Sequence, residues 1–511
     1  MVRAAIAAVV KVGQRMSTTE IEAPTSGAVR TSDLLIAGEH VAAKDGRYFE
    51  TAEALTGEPI ARVAAASVED VNLAVDAAAA ALPEWSSLPP AARRSVLERA
   101  AVLLGERTDE IVATMSREMG ATLPWCGFNV QVAKGMLVEA AAQAYSAVGE
   151  VIPSDVPGLT ALGVRQPVGV VVGIAPWNAP LILGVRAIVW PLVWGNTVVL
   201  KSSEQTPLTQ AAIAQVLHDA GVPAGAVNLI SNAPADGPGV VEALIAHPAV
   251  RRVNFTGSSR VGRIIGELGG RHLTRVVLEL GGKAPFLVLP DADLEEAAAA
   301  AGFGAFMNQG EICMSTERVI VDRTVADELS SRLAKRAAGL VVGPPSDPTS
   351  QVGPLVNEGA RDHVIELIED ARAKGAQVLT GGTADGLFVE PTVLRGVTSD
   401  MRIYREESFG PVVSIIEVDS TDEAVTVAND TEYGLSAAVF GKDAAVALDV
   451  ARRIKSGICH INGATVHDEP QMPFGGVGAS GWGRFGSRAA LEEFTELRWI
   501  TIQSGSRHYP I

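Results

Sequence analysis

Val168-Gly-Val-Val-Val-Gly-Ile174 is a continuous apolar run without polar alternation. A strand with one wet face alternates apolar and polar residues. An unbroken valine and isoleucine run belongs to a parallel strand covered on both sides. Thr197-Val-Val-Leu200 is a second such run. A helix is expected over residues 207–220, with Thr206 as N-cap, Pro207 in the first turn and Gly221 just past the end. Residues 226–230 and 250–255 read as the next strands, and a helix begins near Ser258. This strand–helix–strand rhythm predicts a doubly wound α/β sheet that binds ligands at the carboxyl ends of its strands.

From Ala284 the rhythm restarts. Phe286-Leu-Val-Leu289 is a strand, and an alanine-rich helix over residues 293–308 delivers Cys313. Further strand–helix units run to about residue 470, which places a second domain there. Residues 146–165, rich in Gly, Pro and Val, read as a hairpin leaving the first domain, and Leu497-Arg-Trp-Ile-Thr-Ile-Gln503 as a late strand. Long apolar edge strands usually find a partner, which favours an oligomer.

A chain of 511 residues with 47% hydrophobic content exceeds one ordinary core. Its net charge of −17 argues against nucleic-acid or anionic-membrane partners, which would want a basic face. Cys126, Cys313 and Cys459 show neither metal-ligand spacing nor a disulfide framework, so a reducing, cytoplasmic compartment is expected. Residues 1–30 read as a disordered leader, and Met16 is an alternative translation start.

Two short segments carry the chemistry. Glu279 opens Glu279-Leu-Gly-Gly-Lys283, and Cys313 closes Asn308-Gln-Gly-Glu-Ile-Cys313. A thiol can attack an electrophilic carbon, and a carboxylate can then activate water against the thioester. Glycines beside both let the backbone approach a ligand closely. A lone cysteine among small residues is more often an inert core residue. Pro176-Trp-Asn-Ala-Pro180 and Phe255-Thr-Gly-Ser258 decide between these readings.

In order and spacing these four segments resemble the NAD(P)-dependent aldehyde dehydrogenase superfamily, from about Ser32 to the C-terminus. Val199-Leu-Lys-Ser-Ser-Glu204, Glu406-Glu-Ser-Phe-Gly-Pro411 and Pro473-Phe-Gly-Gly-Val-Gly478 add to the match. The stretches Ala179-Pro-Leu-Ile-Leu-Gly-Val-Arg186 and Cys313-Met-Ser-Thr-Glu-Arg318 look most like the salicylaldehyde and vanillin dehydrogenase branch. The resemblance implies two doubly wound parallel-sheet domains plus a small β oligomerisation element. Residues 31–145 and 166–280 would form the NAD-binding domain, 281–480 the catalytic domain, and 146–165 with 481–511 the element that bridges subunits in a homodimer or homotetramer.

It further implies Cys313 as nucleophile, Glu279 as general base for thioester hydrolysis, and Asn178 with the Cys313 backbone N–H as oxyanion donors. Flanking Leu278 and Leu280 argue for burial of Glu279, which would raise its pKa toward neutrality. The cofactor site carries no G-x-G-x-x-G. Pyrophosphate is expected at Thr256, Gly257 and Ser258, where a strand ends and a helix begins. Lys201 and Glu204 would hold the adenosine ribose, and the Glu204 carboxylate would repel a 2′-phosphate, favouring NAD. Glu407 and Phe409 resemble the nicotinamide-side pair, and Ala175, Pro176, Trp177, Val261 and Gly281 complete the cofactor set. Where several branches carry a proton-relay glutamate this chain has Phe485, and Ser202 replaces a frequent proline.

The substrate is expected to be an aromatic aldehyde, oxidised to its acid. Ala179, Ile182, Leu183 and Arg186 would share one helical face beyond Asn178, with Trp125 as a ring-packing wall. Arg186 has two equal readings, a structural ion pair or a contact to a ring hydroxyl or carboxylate. An aliphatic, terpenoid or semialdehyde substrate is the alternative. A CoA-acylating enzyme would ordinarily lack Glu279, and a non-enzymatic protein would not need the intact Cys313, Glu279 and Asn178 set.

Overall fold

The structure is a computed structural model and describes residues 29–511. The strand Val170–Ile174 lies within an eight-stranded sheet and is buried along its whole length. Val171 enters one apolar cluster, and Val170, Val172 and Ile174 enter another. Helices cover both faces, which is why the run lacks polar alternation. From this strand the chain steps through Thr197–Lys201 to Val227–Ile230. It then returns to set Val250–Thr256 and Arg275–Glu279 on the opposite side, all parallel. The winding direction therefore reverses beside Val170–Ile174, and a crevice opens at the carboxyl ends there. Leu34–Ile36 with Glu39–Val41, and Gly481–Trp482, close the two edges antiparallel.

A seven-stranded sheet follows, built around Ala284–Val288 and Thr316–Asp322. Its pairings are parallel except at the edge strand Gln377–Thr380. It too is covered on both faces: Phe286 and Val319 enter one core, Leu287 and Ile320 the other. Glu150–Ile152, Leu159–Pro167 and Thr495–Gln503 form a separate antiparallel three-stranded sheet. Arg30–Ser32 joins Pro59–Ala64 and Tyr48–Ala52 in another. Arg30 is thus strand rather than leader; residues 1–28, with Met16, lie outside the described residues.

Local expectations are corrected at three places. The helix Leu294–Phe306 stops short of Asn308, because Asn308 and Gln309 adopt left-handed φ of 48° and 55°. Thr206 stands at the N-cap of Pro207–Asp219, but its hydroxyl makes no cap bond. The buried carboxylate of Glu118 caps instead, accepting from the N–H groups of Leu208 (2.7 Å) and Thr209 (2.9 Å) and from the Thr209 hydroxyl (2.6 Å). Ala179 is the N-cap of Pro180–Val193, with φ −141°, and so leaves the helical face that Ile182, Leu183 and Arg186 share. Every residue of that helix is buried.

Candidate active site

Glu279 ends the strand Arg275–Glu279 and is 1% exposed. Both its carboxylate oxygens are buried without a hydrogen-bond partner. Burial pushes its pKa up to about 7; the Arg186 charge and then the nearby Cys313 thiol oppose the rise, and the Asp468 charge adds to it. Cys313 follows the left-handed pair Asn308 and Gln309 and precedes the strand Thr316–Asp322. A side chain on Gly282 would place Cβ 2.4 Å from the Cys313 carbonyl oxygen, so glycine there lets the two segments meet. Cys313 is partly exposed, whereas Cys126 is buried. Burial, then the charges of Glu279 and Glu407, hold the Cys313 thiol well above its usual pKa. At rest it is a protonated thiol beside a carboxyl poised near neutrality.

Asn178 lies just beyond the strand Val170–Ile174, at the reversal point of the sheet. Its amide donates to the Glu311 carbonyl (2.9 Å), two residues before Cys313. Its own carbonyl accepts from the Trp125 indole N–H (3.1 Å) and the Asn308 amide (3.3 Å). One amide hydrogen of Asn178 remains for an oxyanion, since the side chain carries two. Trp125, Ile182, Leu183, Ile312, Met314 and Phe474 belong to one apolar cluster, and Cys313 packs against it. Arg186 resolves toward the structural reading: it forms an ion pair with Asp468 and stacks over the Phe474 ring at 4.1 Å. Phe485 is buried and exchanges backbone hydrogen bonds with Phe474, so that position is core.

The residues expected to hold a cofactor lie at or beyond the carboxyl ends of these strands. The Glu204 carboxylate accepts from the Lys201 ammonium and from the Asn232 amide (2.8 Å), beyond the ends of two neighbouring strands. Ser258 is the N-cap of Ser259–His272, accepting from the Val261 N–H. A Cβ on Gly257 would lie 2.4 Å from the Phe255 ring, which requires glycine at that turn. The Gly257 N–H is taken by the Glu279 carbonyl (3.0 Å), so anion donors there are the first-turn amides of the helix. Gln210 donates to the Pro176 carbonyl (3.0 Å) and fixes the loop holding Ala175, Pro176 and Trp177.

On the far side Glu407 accepts from the Gly282 N–H (2.8 Å), and burial raises its pKa to about 8. A Cβ on Gly281 would lie 2.5 Å from Glu407 Oε2. Phe409, at φ 47°, meets Trp177 edge-on at 5.8 Å. Buried Lys283 bonds Glu317 and Ser408, and Glu317 accepts from the Ser408 N–H (2.9 Å). That network anchors the loop of Glu407 and Phe409. A carboxylate at each end with a helix N-terminus between them suits a molecule with two hydroxylated ends joined by a diphosphate.

Asn232, Glu118, Glu317 and Asp468 carry no local sequence signal of a role at the site, although Glu317 stands within Cys313-Met-Ser-Thr-Glu-Arg318. Asp468 lies 282 positions from Arg186, and no local pattern marks such a pairing.

Comparison with known proteins follows the same lines. The profile of the aldehyde dehydrogenase family matches residues 40–500. The chain is 60% identical to a vanillin dehydrogenase of Pseudomonas sp. (strain HR199 / DSM 7063), over 94% of this chain and 99% of that protein. It is 42% identical to a benzaldehyde dehydrogenase [NAD(+)] of Pseudomonas putida, over 89% of this chain and 93% of that protein. A crystal structure of a salicylaldehyde dehydrogenase from Pseudomonas putida G7, complexed with salicylaldehyde, superposes with a TM-score of 0.93 at 42% identity. It covers 95% of this chain and 100% of that one.

Proposed function

The chain belongs to the aldehyde dehydrogenase family, and from that premise we propose that it oxidises an aromatic aldehyde of the benzaldehyde, salicylaldehyde or vanillin type to the carboxylic acid, with NAD. The observation that carries this is a partly exposed Cys313 beside the buried Glu279, with Asn178 bonded to the Cys313 loop next to an apolar cluster containing Trp125. Cys313 Sγ attacks the aldehyde carbon while its thiol proton passes to solvent at this partly exposed residue, leaving Glu279 as the carboxylate. The Asn178 amide and the Cys313 N–H stabilise the oxyanion of the thiohemiacetal. The nicotinamide cofactor, when bound, supplies the hydride acceptor that converts this adduct to a thioester. Glu279 then takes a proton from water as it attacks the acyl carbon, releasing the acid and restoring the thiol.

Lys201, Glu204 and Asn232 would hold the adenosine ribose, the first-turn amides after Ser258 the diphosphate, and Glu407 the second ribose. The Glu204 carboxylate disfavours a 2′-phosphate, hence NAD over NADP. The exposed apolar strand Thr495–Gln503 supports a homodimer or homotetramer. No helix among the described residues is long and apolar enough to cross a membrane. The three free cysteines fit a cytoplasmic setting.

The test is NADH formation from a panel of aromatic and aliphatic aldehydes, with and without CoA. Aromatic aldehydes should give the highest kcat/KM without CoA. A clear preference for short aliphatic aldehydes would overturn the substrate class, and a CoA requirement would overturn the hydrolytic step. Cys313→Ala should abolish turnover while the cofactor still binds, because the reacting sulfur is gone.

A further inference from the structure

The ion pair of Arg186 and Asp468 leaves one oxygen over. Both side chains are nearly buried, at 3% and 9% exposure. Asp468 Oδ2 accepts from Arg186, while Oδ1 is buried with no hydrogen-bond partner. Its chain neighbours do not serve it, since His467 and Glu469 bond each other at 2.9 Å. A buried acceptor left unmade is costly and calls for a donor from elsewhere. Arg186 stacks on the Phe474 ring at 4.1 Å, and Phe474 belongs to the same apolar core as Trp125, against which Cys313 packs. Both charges also act on Glu279, and that of Arg186 acts on Cys313.

Resting on the aromatic reading above, we propose that Asp468 Oδ1 accepts a hydrogen bond from a hydroxyl group on the ring of the aldehyde, making Asp468 the residue that selects hydroxylated benzaldehydes. Arg186 then holds Asp468 in place rather than binding substrate itself. The pair is neutral overall, so it offers no net charge to an aldehyde bearing a carboxylate, and its open valence is an acceptor. A neutral ring hydroxyl supplies the matching donor; a semialdehyde carboxylate meets the Asp468 oxygen with like charge.

The test compares kcat/KM for the three hydroxybenzaldehyde isomers, their methyl ethers and benzaldehyde. The wild-type enzyme should favour at least one hydroxy isomer over its methyl ether. Asp468→Asn should reduce that preference about tenfold or more, the scale of one hydrogen bond to a charged group. Benzaldehyde should fall less. The ratio cancels any change in Glu279, which every aldehyde uses. Asp468→Asn leaves Arg186 buried without its counter-charge, so Arg186→Met with Asp468→Leu is the second variant, because apolar replacement of a buried pair is commonly tolerated. It should lose the hydroxyl preference as well. A wild-type enzyme indifferent to hydroxyl versus methoxyl, or either folded variant with the wild-type ratio, would overturn the assignment. If the wild-type enzyme oxidised no aromatic aldehyde, the failure would lie with the proposed function instead.

Discussion

Glu279 gains its chemistry from what surrounds it rather than from its own type. An exposed carboxyl is a weak base at neutral pH, whereas burial brings this one to about 7. Its basic form grows as pH rises through that value. Thioester hydrolysis should therefore climb through about pH 7 and level off above it, read by steady-state rates across pH 5.5–8.5. Glu279→Gln should remove this limb and leave a burst of NADH followed by turnover slowed roughly 10²–10⁴-fold. Burst and steady state falling together would instead assign Glu279 to activating Cys313, whose thiol is held protonated by burial and by that same carboxylate. Glu204 can be tested alone. Glu204→Gln should narrow the NAD over NADP ratio of kcat/KM, because the like-charge contact with a 2′-phosphate is removed. An unchanged ratio would separate Glu204 from the ribose.

Elements were legible where a physical rule acts along the chain and obscure where it acts across it. The Val168–Ile174 and Thr197–Leu200 runs gave two-sided buried strands because alternation is a local property. The start of a helix near Ser258 was equally local. Thr206 does occupy the N-cap, but the acceptor that serves the first turn is the carboxylate of Glu118, some 90 positions away. The prediction is that Glu118→Ala lowers the melting temperature, at a cost of about 2 kcal/mol, by leaving two first-turn N–H groups and the Thr209 hydroxyl without an acceptor. Thr206→Ala should change little, which differential scanning calorimetry would read side by side. The end of the helix Leu294–Phe306 was overrun by two residues for a related reason. Asn tolerates a helix as well as a left-handed turn, and only the packing of the Cys313 loop selects the latter. The same loss of long-range information hid Asp468, while the Cys313, Glu279 and Asn178 set was legible because each lies in a short motif.

At the scale of the whole molecule, the two buried sheets account for the site, and the third sheet accounts for what remains exposed. Thr495–Gln503 pairs with Leu159–Pro167 along nine residues and has no neighbour on its other edge among the described residues. Leu497, Trp499 and Ile502 on it are 52%, 74% and 54% exposed, and Val151 on the strand Glu150–Ile152 is 77% exposed. An apolar strand with an open edge is an aggregation hazard unless something covers it, and a second copy of the chain is the simplest cover. The strand is tied to the body by Arg252 to Glu496, and the short helix Leu491–Phe494 that leads into it is tied by Glu492 to Arg165 on the paired strand, so it is held ready rather than loose. Trp499→Glu combined with Leu497→Glu should shift the protein toward monomer in analytical ultracentrifugation, since buried like charges would face each other across a two-fold axis. The site itself is assembled within one chain, from the crevice of the eight-stranded sheet and the Cys313 loop. A monomeric variant that still forms the NADH burst would place self-association in stability alone, whereas a variant that keeps its oligomeric mass would assign the apolar strand to some other surface.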